Sequence, residues 1–302
     1  MNKLNFTLIL LITNTLLFGQ SANTFFNRAV TKYYNQDYTG AIEDYSKAIE
    51  LKPGDAKAYV SRGIAKYYIQ DYLGAIEDQK KAIQINPKYE DAYFNIGDCK
   101  YNLQDYAGAI ESYSQAISIN PKDAMAIVSR GLTKQYIKEY KAAIEDFTLA
   151  IKVQPDLADA YIDRGVSKYY LEDYLGAITD YSKAIDIQSS SDAYFNRGNA
   201  KVALKDLKGG LSDYNKSIEL NPKNFKAFHN RGLTKVELND LKAALDDFTK
   251  AIDLSPRYGD AFYNRGVTKM AINQKESGCK DLERALELGQ INASIGLQKY
   301  CK

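Results

Sequence analysis

Tryptophan is absent from these 302 residues, histidine occurs once, at His229, and there are only three cysteines and six prolines. A single histidine excludes a histidine-rich metal cluster, and no serine or cysteine nucleophile is arranged with His229 in the sequence. No glycine-rich phosphate loop is present either, so the motifs on which catalysis usually rests are missing; no metal, no cofactor and no enzymatic activity are expected, and His229 reads as a polar groove residue and not as a base. One-sided charge is lacking too. Forty Lys and Arg against 38 Asp and Glu leave +2, too balanced to argue for nucleic acid or an anionic membrane surface.

Long hydrophobic runs are equally scarce. The one candidate, Leu4–Phe18, follows Lys3, is interrupted by Thr13-Asn14-Thr15 and precedes Gly19-Gln20-Ser21. It is short for a membrane span and has the layout of a secretory signal peptide, residues 1–19, cleaved near Gly19. No cysteine follows it to carry a lipid anchor. The expectation is an exported protein, periplasmic or secreted, with no integral membrane segment after cleavage; an uncleaved tether is the alternative.

What is present is a period. In Ala227–Pro256 small and apolar residues recur at helical spacing on either side of Asn239-Asp240, which reads as two amphipathic helices joined by a tight turn, with Pro256 stopping the second. Variant copies of this stretch fill the chain: 22–55, 56–89, 90–123, 124–157, 158–190, 191–224, 225–258 and 259–292. With Ala22 as place 1, place 4 is Phe, Tyr or Ile, place 8 is Gly in all copies but the first, and all six prolines fall at place 32. This pattern resembles the tetratricopeptide repeat (TPR). The resemblance implies an all-α, right-handed superhelical solenoid of eight helix-turn-helix units with a capping helix in 293–302, and a period of this length supports one continuous array. Asp55, Asp123 or Asn224 can cap a following helix.

Charges follow the period as well. Place 7 is Arg in seven copies (Arg28, Arg62, Arg130, Arg164, Arg197, Arg231, Arg265), and place 23 is Asp in the same seven (Asp44, Asp78, Asp146, Asp180, Asp213, Asp247, Asp281). The third copy loses both at once, with Ile96 and Ser112. Joint loss implies contact, so an Arg–Asp ion pair across each hairpin is expected. Lys at place 11 recurs in every copy, where it would complement the end of the first helix.

In proteins with this repeat, places 2, 5, 9 and 12 of the first helix line a concave groove that receives peptides or partner helices. Mapped here, that groove is rich in tyrosine over the first five copies. The residues expected to bind a partner are Phe26, Tyr33, Val60, Tyr67, Phe94, Tyr101, Ile162 and Tyr169, with Tyr34, Tyr68, Tyr136 and Tyr170 beside them. Tyrosine combines apolar area with a polar tip and is enriched where proteins bind partners. The functional expectation is a protein–protein interaction scaffold with a peptide or protein ligand; the alternative is a glycan or lipid in the same groove. The Lys and Asn clamp of cytosolic co-chaperones is absent, since place 5 is mostly apolar.

Cys99 stands at place 10, where other copies carry Thr, Ala or Ser, and reads as a small buried residue. Cys279 and Cys301 would face each other if the chain turned back near Gln290, and a disulfide between them would staple the end of the array; two free buried thiols are the alternative. The fifth copy is one residue short, with Ser189-Ser190-Ser191 at its junction, and Gly209-Gly210 interrupts a helix of the sixth. A softer joint is expected there.

Overall fold

The computed structural model describes residues 22–301. The segment read as a signal peptide lies outside them. Among the described residues there are seventeen helices and no strand. The chain divides at Gln154–Pro155 into two compact units.

The first unit holds four hairpins: 22–34 with Tyr38–Leu51, Ala56–Tyr68 with Tyr72–Ile85, Glu90–Asn102 with Tyr106–Ile119, and Ala124–Tyr136 with Tyr140–Val153. The second holds Ala158–Tyr170 with Tyr174–Ile187, Ser191–Ala203 with Leu207–Leu220, Phe225–Glu237 with Leu241–Leu254, and Gly259–Ala271 with Lys275–Glu287. A final short helix, Asn292–Tyr300, follows. The first helix of each hairpin is called helix A and the second helix B.

Each hairpin turn is built the same way. The residue at place 15 takes a left-handed conformation, with φ between 61 and 66° at Gln36, Gln70, Gln104, Lys138, Glu172, Lys205, Asn239 and Asn273. Asparagine tolerates that region better than longer side chains do, so the turns differ in local strain while sharing a shape. Helix B then commonly starts at an Asp whose carboxylate accepts a backbone N–H three residues on, as Asp71 does from Gly74 and Asp240 from Ala243. Helix A is capped by Asp55 and Asp123, which accept from the N–H two residues on, and by Asn224, whose side-chain oxygen accepts from Ala227 N–H.

Close approach of A and B explains the small residues. A Cβ on Gly232 would come 2.7 Å from the ring of Phe248, and the alanines at places 20 and 27, such as Ala75 and Ala82, are fully buried. In the sixth repeat Gly210 makes room for Val202, and helix Leu207–Leu220 runs unbroken through Gly209-Gly210. The short junction before it is closed by Ser190, whose hydroxyl accepts from Ala193 N–H. The division between the units lies at Gln154–Pro155 and not at this 188–191 junction.

The end of the array folds as a turn and a cap. Gly289 adopts φ 88°, which glycine enters without a Cβ clash, and helix Asn292–Tyr300 returns to lay Ala293 and Gly296 against Leu282. This brings Cys279 and Cys301 to a Cα separation of 5.8 Å, where they form a disulfide. Closing a loop of 22 residues contributes about 3 kcal/mol in the chain-entropy account. Cys99 is a free thiol, buried, with its pKa pushed up to about 12 by burial, and is therefore unreactive.

Candidate functional site

The face presented by the A helices is held in register by a charge cluster repeated through both units. Arg at place 7 donates through Nε and Nη2 to both carboxylate oxygens of the Asp at place 23, at 2.5 to 3.0 Å, in seven hairpins. The Asp is buried in each. Lys at place 11 reaches the same carboxylate, at 2.7 to 2.9 Å. It stands in the last turn of helix A, as expected from the sequence, and also shares this buried anion with the Arg; Lys32 and Lys66 donate as well to a carbonyl in the first turn of helix B. Two cations on one buried carboxylate satisfy more of its lone pairs than one could. Hydrogen bonding from Arg28 holds Asp44 down at about 2.

The third nitrogen of the guanidinium points to the preceding repeat. Arg62 Nη1 donates to Ser46 and Arg130 to Ser114 in the first unit; Arg197 reaches Ser182, Arg231 reaches Asn215 and Arg265 reaches Thr249 in the second, all within 3.1 Å. In six of the seven hairpins the Arg also lies over the ring at place 4 of its own helix, as Arg231 does over Phe228 at 5.3 Å, while Arg130 has Ile127 there. The acceptors at place 25 were not foreseen from the sequence, yet a signal exists. Place 25 is a hydroxyl or amide wherever an Arg follows, and in the second repeat, which precedes Ile96, it is Lys80.

On the A-helix face the eight residues expected to bind a partner fall into two groups. Val60 is buried against Ala82 and Ala92 and belongs to the core between repeats, not to the face. Phe26 and Tyr33 are half-buried on Ala29, Ala41 and Tyr45, Tyr67 on Ala75 and Cys99, and Phe94 leans on Tyr113 at 5.7 Å. In the second unit Ile162 and Tyr169 pack in the same way on Ala177 and Tyr181. The most exposed of these tyrosines lie one residue later, at place 13: Tyr34 at 79%, Tyr68 at 52%, Tyr136 and Tyr170 at 60%.

Those rings are steadied by tyrosines at place 17, in the first turn of helix B. Tyr38 stacks on Tyr68 at 4.9 Å, Tyr106 meets Tyr136 at 4.9 Å, and Tyr33, Tyr67 and Tyr101 meet Tyr38, Tyr72 and Tyr106 edge-on at 5.5 to 5.6 Å. Place 17 was also legible, being Tyr in the first five copies and Leu or Lys in the last three. Between successive A helices the face is pitted. A cavity of about 250 Å³ opens beside Phe26, Tyr33 and Tyr34, one of about 110 Å³ beside Tyr67 and Tyr68, and one of about 190 Å³ beside Tyr169 and Tyr170.

Polar groups at the floor are few. Asp98 accepts from Tyr113 at 2.7 Å, and Asn199 accepts from Tyr214 and Asn230, both at 2.8 Å. Burial raises the Asp98 carboxyl, with the Tyr113 hydroxyl opposing the shift. Asp163, at place 6, is pushed up to about 7 by burial and by the neighbouring charge of Asp159. His229 is not on the face. It is buried, its ring between Asn264 Nδ2 at 2.9 Å and the Tyr258 hydroxyl at 3.2 Å, and burial lowers its pKa.

Stacked helix-turn-helix hairpins with Gly beneath an aromatic ring, repeated at a fixed period, are the geometry of one known family. Segments 56–89, 90–123, 191–224 and 213–246 match the family described as tetratricopeptide repeat, and 31–68 matches TPR repeat. The chain is a tetratricopeptide repeat protein. Solved structures agree on the fold. A tetratricopeptide repeat protein from Parabacteroides merdae is 19% identical, with TM-score 0.63 over 80% of this chain and 96% of that one. The C-terminal part of a TPR repeat-containing protein from Cytophaga hutchinsonii is 19% identical, TM-score 0.65, over 79% and 98%. YrrB, described as a TPR protein with an unusual peptide-binding site, is 24% identical, TM-score 0.51, over 63% and 99%. No curated protein matches the sequence.

Proposed function

We propose that this TPR protein is a non-catalytic, exported scaffold whose A-helix face holds a peptide segment or partner protein. The observation that carries the reading is the row of exposed tyrosines, Tyr34, Tyr68 and Tyr136, each beside a half-buried companion at place 12 or 17. Rings held by their neighbours lose little freedom on binding and present apolar area with a hydroxyl at its edge. Protein or peptide binding is the use to which this repeat is generally put, and the peptide-binding YrrB shares the fold. Export is supported by the Cys279–Cys301 disulfide and the signal-like run before Ala22; no helix of the described residues is long and apolar enough to cross a membrane.

Crosslinking and pull-down from the native envelope test the reading. Tyr34→Ala, Tyr68→Ala and Tyr136→Ala together should reduce recovery of the wild-type partner by about tenfold or more, with the helical circular dichroism unchanged. Full recovery with the triple variant removes the face from the binding site. A bound species that survives protease treatment of the extract identifies a glycan or lipid in place of a protein.

A further inference from the structure

Place 24 of helix B is Tyr45, Tyr113, Phe147, Tyr181, Tyr214, Phe248 or Leu282 in seven repeats, and in the second it is Gln79. Gln79 is fully buried; its Nε2 donates to Val60 C=O at 3.3 Å, while its Oε1 has no hydrogen-bond partner among the described residues. A buried carbonyl left unpaired is unfavourable, and native proteins rarely keep one without a reason. Gln79 lines the 110 Å³ cavity between repeats two and three, together with Gly63, Tyr67, Tyr68, Asn95 and Asp98 among others.

Asp98 is the second departure from pattern at the same spot. The other repeats of this unit carry Val30, Ile64 and Leu132 at place 9. Tyr113 occupies one of its oxygens, and no Lys or Arg pairs with it among the described residues. The nearest regular cation of this repeat, Lys100, donates instead to Gly108 C=O at 3.2 Å. The cavity therefore has two acceptors, Gln79 Oε1 and the Asp98 carboxylate, under two aromatic walls, Tyr67 and Tyr68. Acceptors without a counter-charge call for a donor that is positive, and rings on the flanks suit an aliphatic stem or a cation over a π face.

We propose that this cavity is a subsite for one cationic side chain, lysine or arginine, of a bound peptide. The assignment rests on the reading that the A-helix face binds peptides, and it gives that reading a specificity: a basic residue docks between repeats two and three. A neutral apolar side chain would leave Gln79 Oε1 unpaired and the Asp98 carboxylate with Tyr113 alone, and an acidic one would meet Asp98.

The test is a titration of 15N-labelled full-length protein with acetyl-Gly-X-Gly-amide, X being Lys, Arg, norleucine or Glu, following the Gln79 side-chain amide signal. The Lys or Arg peptide should shift that signal saturably, the better of the two separating an ammonium from a guanidinium site, while norleucine and Glu leave it in place. Asp98→Asn should weaken the effect about tenfold, the loss of one charge-assisted contact. Gln79→Tyr restores the ring that Tyr113 places over Gly97 in the next repeat, so it keeps the fold while removing the Oε1 acceptor, and should abolish binding as read from the Asn95 side-chain amide. Norleucine binding as well as lysine, a Gln79→Tyr protein that still binds, or no response to either cation, as for a cavity that only holds water, would each overturn the assignment. Failure here with loss of the partner in the tyrosine triple variant overturns the subsite alone; the reverse result overturns the larger reading.

Discussion

The seventh repeat and the junction of the second and third share a backbone and differ in what holds it. In the seventh, Arg231 grips Asp247 at 2.9 and 2.6 Å, Lys235 joins the same carboxylate at 2.7 Å, and Asn215 of the preceding repeat receives the remaining nitrogen at 2.7 Å. In the third, Ile96 packs with Ala75, Ile76 and Cys99, and Ser112 turns to Gly108 C=O. Helices A and B are 13 and 14 residues long in both. A buried ion cluster and an apolar contact are thus interchangeable for building the hairpin. What the cluster adds is a directed link to the previous repeat, which Ile96 cannot make.

If that comparison is right, breaking the cluster by halves should be costly and replacing it whole should be mild. Arg231→Ile leaves Asp247 buried with Lys235 alone and should destabilise the second unit by about 3 kcal/mol in thermal or urea unfolding. Adding Asp247→Ser, which copies the third repeat, should return at least half of that loss. An additive double variant would show that the two sides do not act as a pair.

A second, smaller contrast lies at place 6, where the seventh repeat has Asn230 and the fifth has Asp163. The folded-state pKa of Asp163 is raised to about 7, above the ordinary carboxylate value, so the native state binds the proton more tightly than the unfolded chain. Its contribution favours folding below the unfolded pKa and is lost as pH rises through about 7. Asp163→Asn should therefore raise stability at pH 8 by about 1–2 kcal/mol and flatten the dependence between pH 4 and pH 7. A stability curve unchanged in shape would show that Asp163 is solvated in the native state.

The smallest expected effect is at the turns. Gln70 and Asn239 hold the same left-handed conformation, φ 65 and 61°. Gln70→Asn should gain about 0.5 kcal/mol and Gln70→Gly up to about 1 kcal/mol, read as a shift in thermal midpoint. A loss in both would mean the Gln70 side chain has a role that its backbone angle conceals.

Much of the fold was legible because repetition turns one chain into its own comparison set. The paired loss at Ile96 and Ser112 pointed to the Arg–Asp contact, and the turn at Gly289-Gln290 pointed to Cys279 facing Cys301. The exposed face of the A helices was less legible. Helical angle sets places 5 and 12 of a repeat on one stripe, but how closely the next A helix approaches decides whether a ring on that stripe is exposed. Val60 and His229 are covered by their neighbours, while Tyr34 and Tyr68, only one step round the helix from Tyr33 and Tyr67, are not. Lys at place 11 stands in the last turn of helix A as expected, but its carboxylate contact follows from the packing: helix A ends where helix B begins, so its ammonium meets a carboxylate that is twelve residues away along the chain.

The link from each Arg to the repeat before it sets a rule for reordering the array. A repeat with Arg at place 7 fits behind one with Ser, Thr or Asn at place 25; the third repeat, with Ile96, sits behind Lys80. Excising repeats two and three together would bring Ser46 to Arg130, a matched seam. Excising the third alone would set Lys80 against Arg130, cation to cation. Repeats two and three are thus a single cassette: any shortening, duplication or grafting of this scaffold that keeps its seams matched has to move them as a pair.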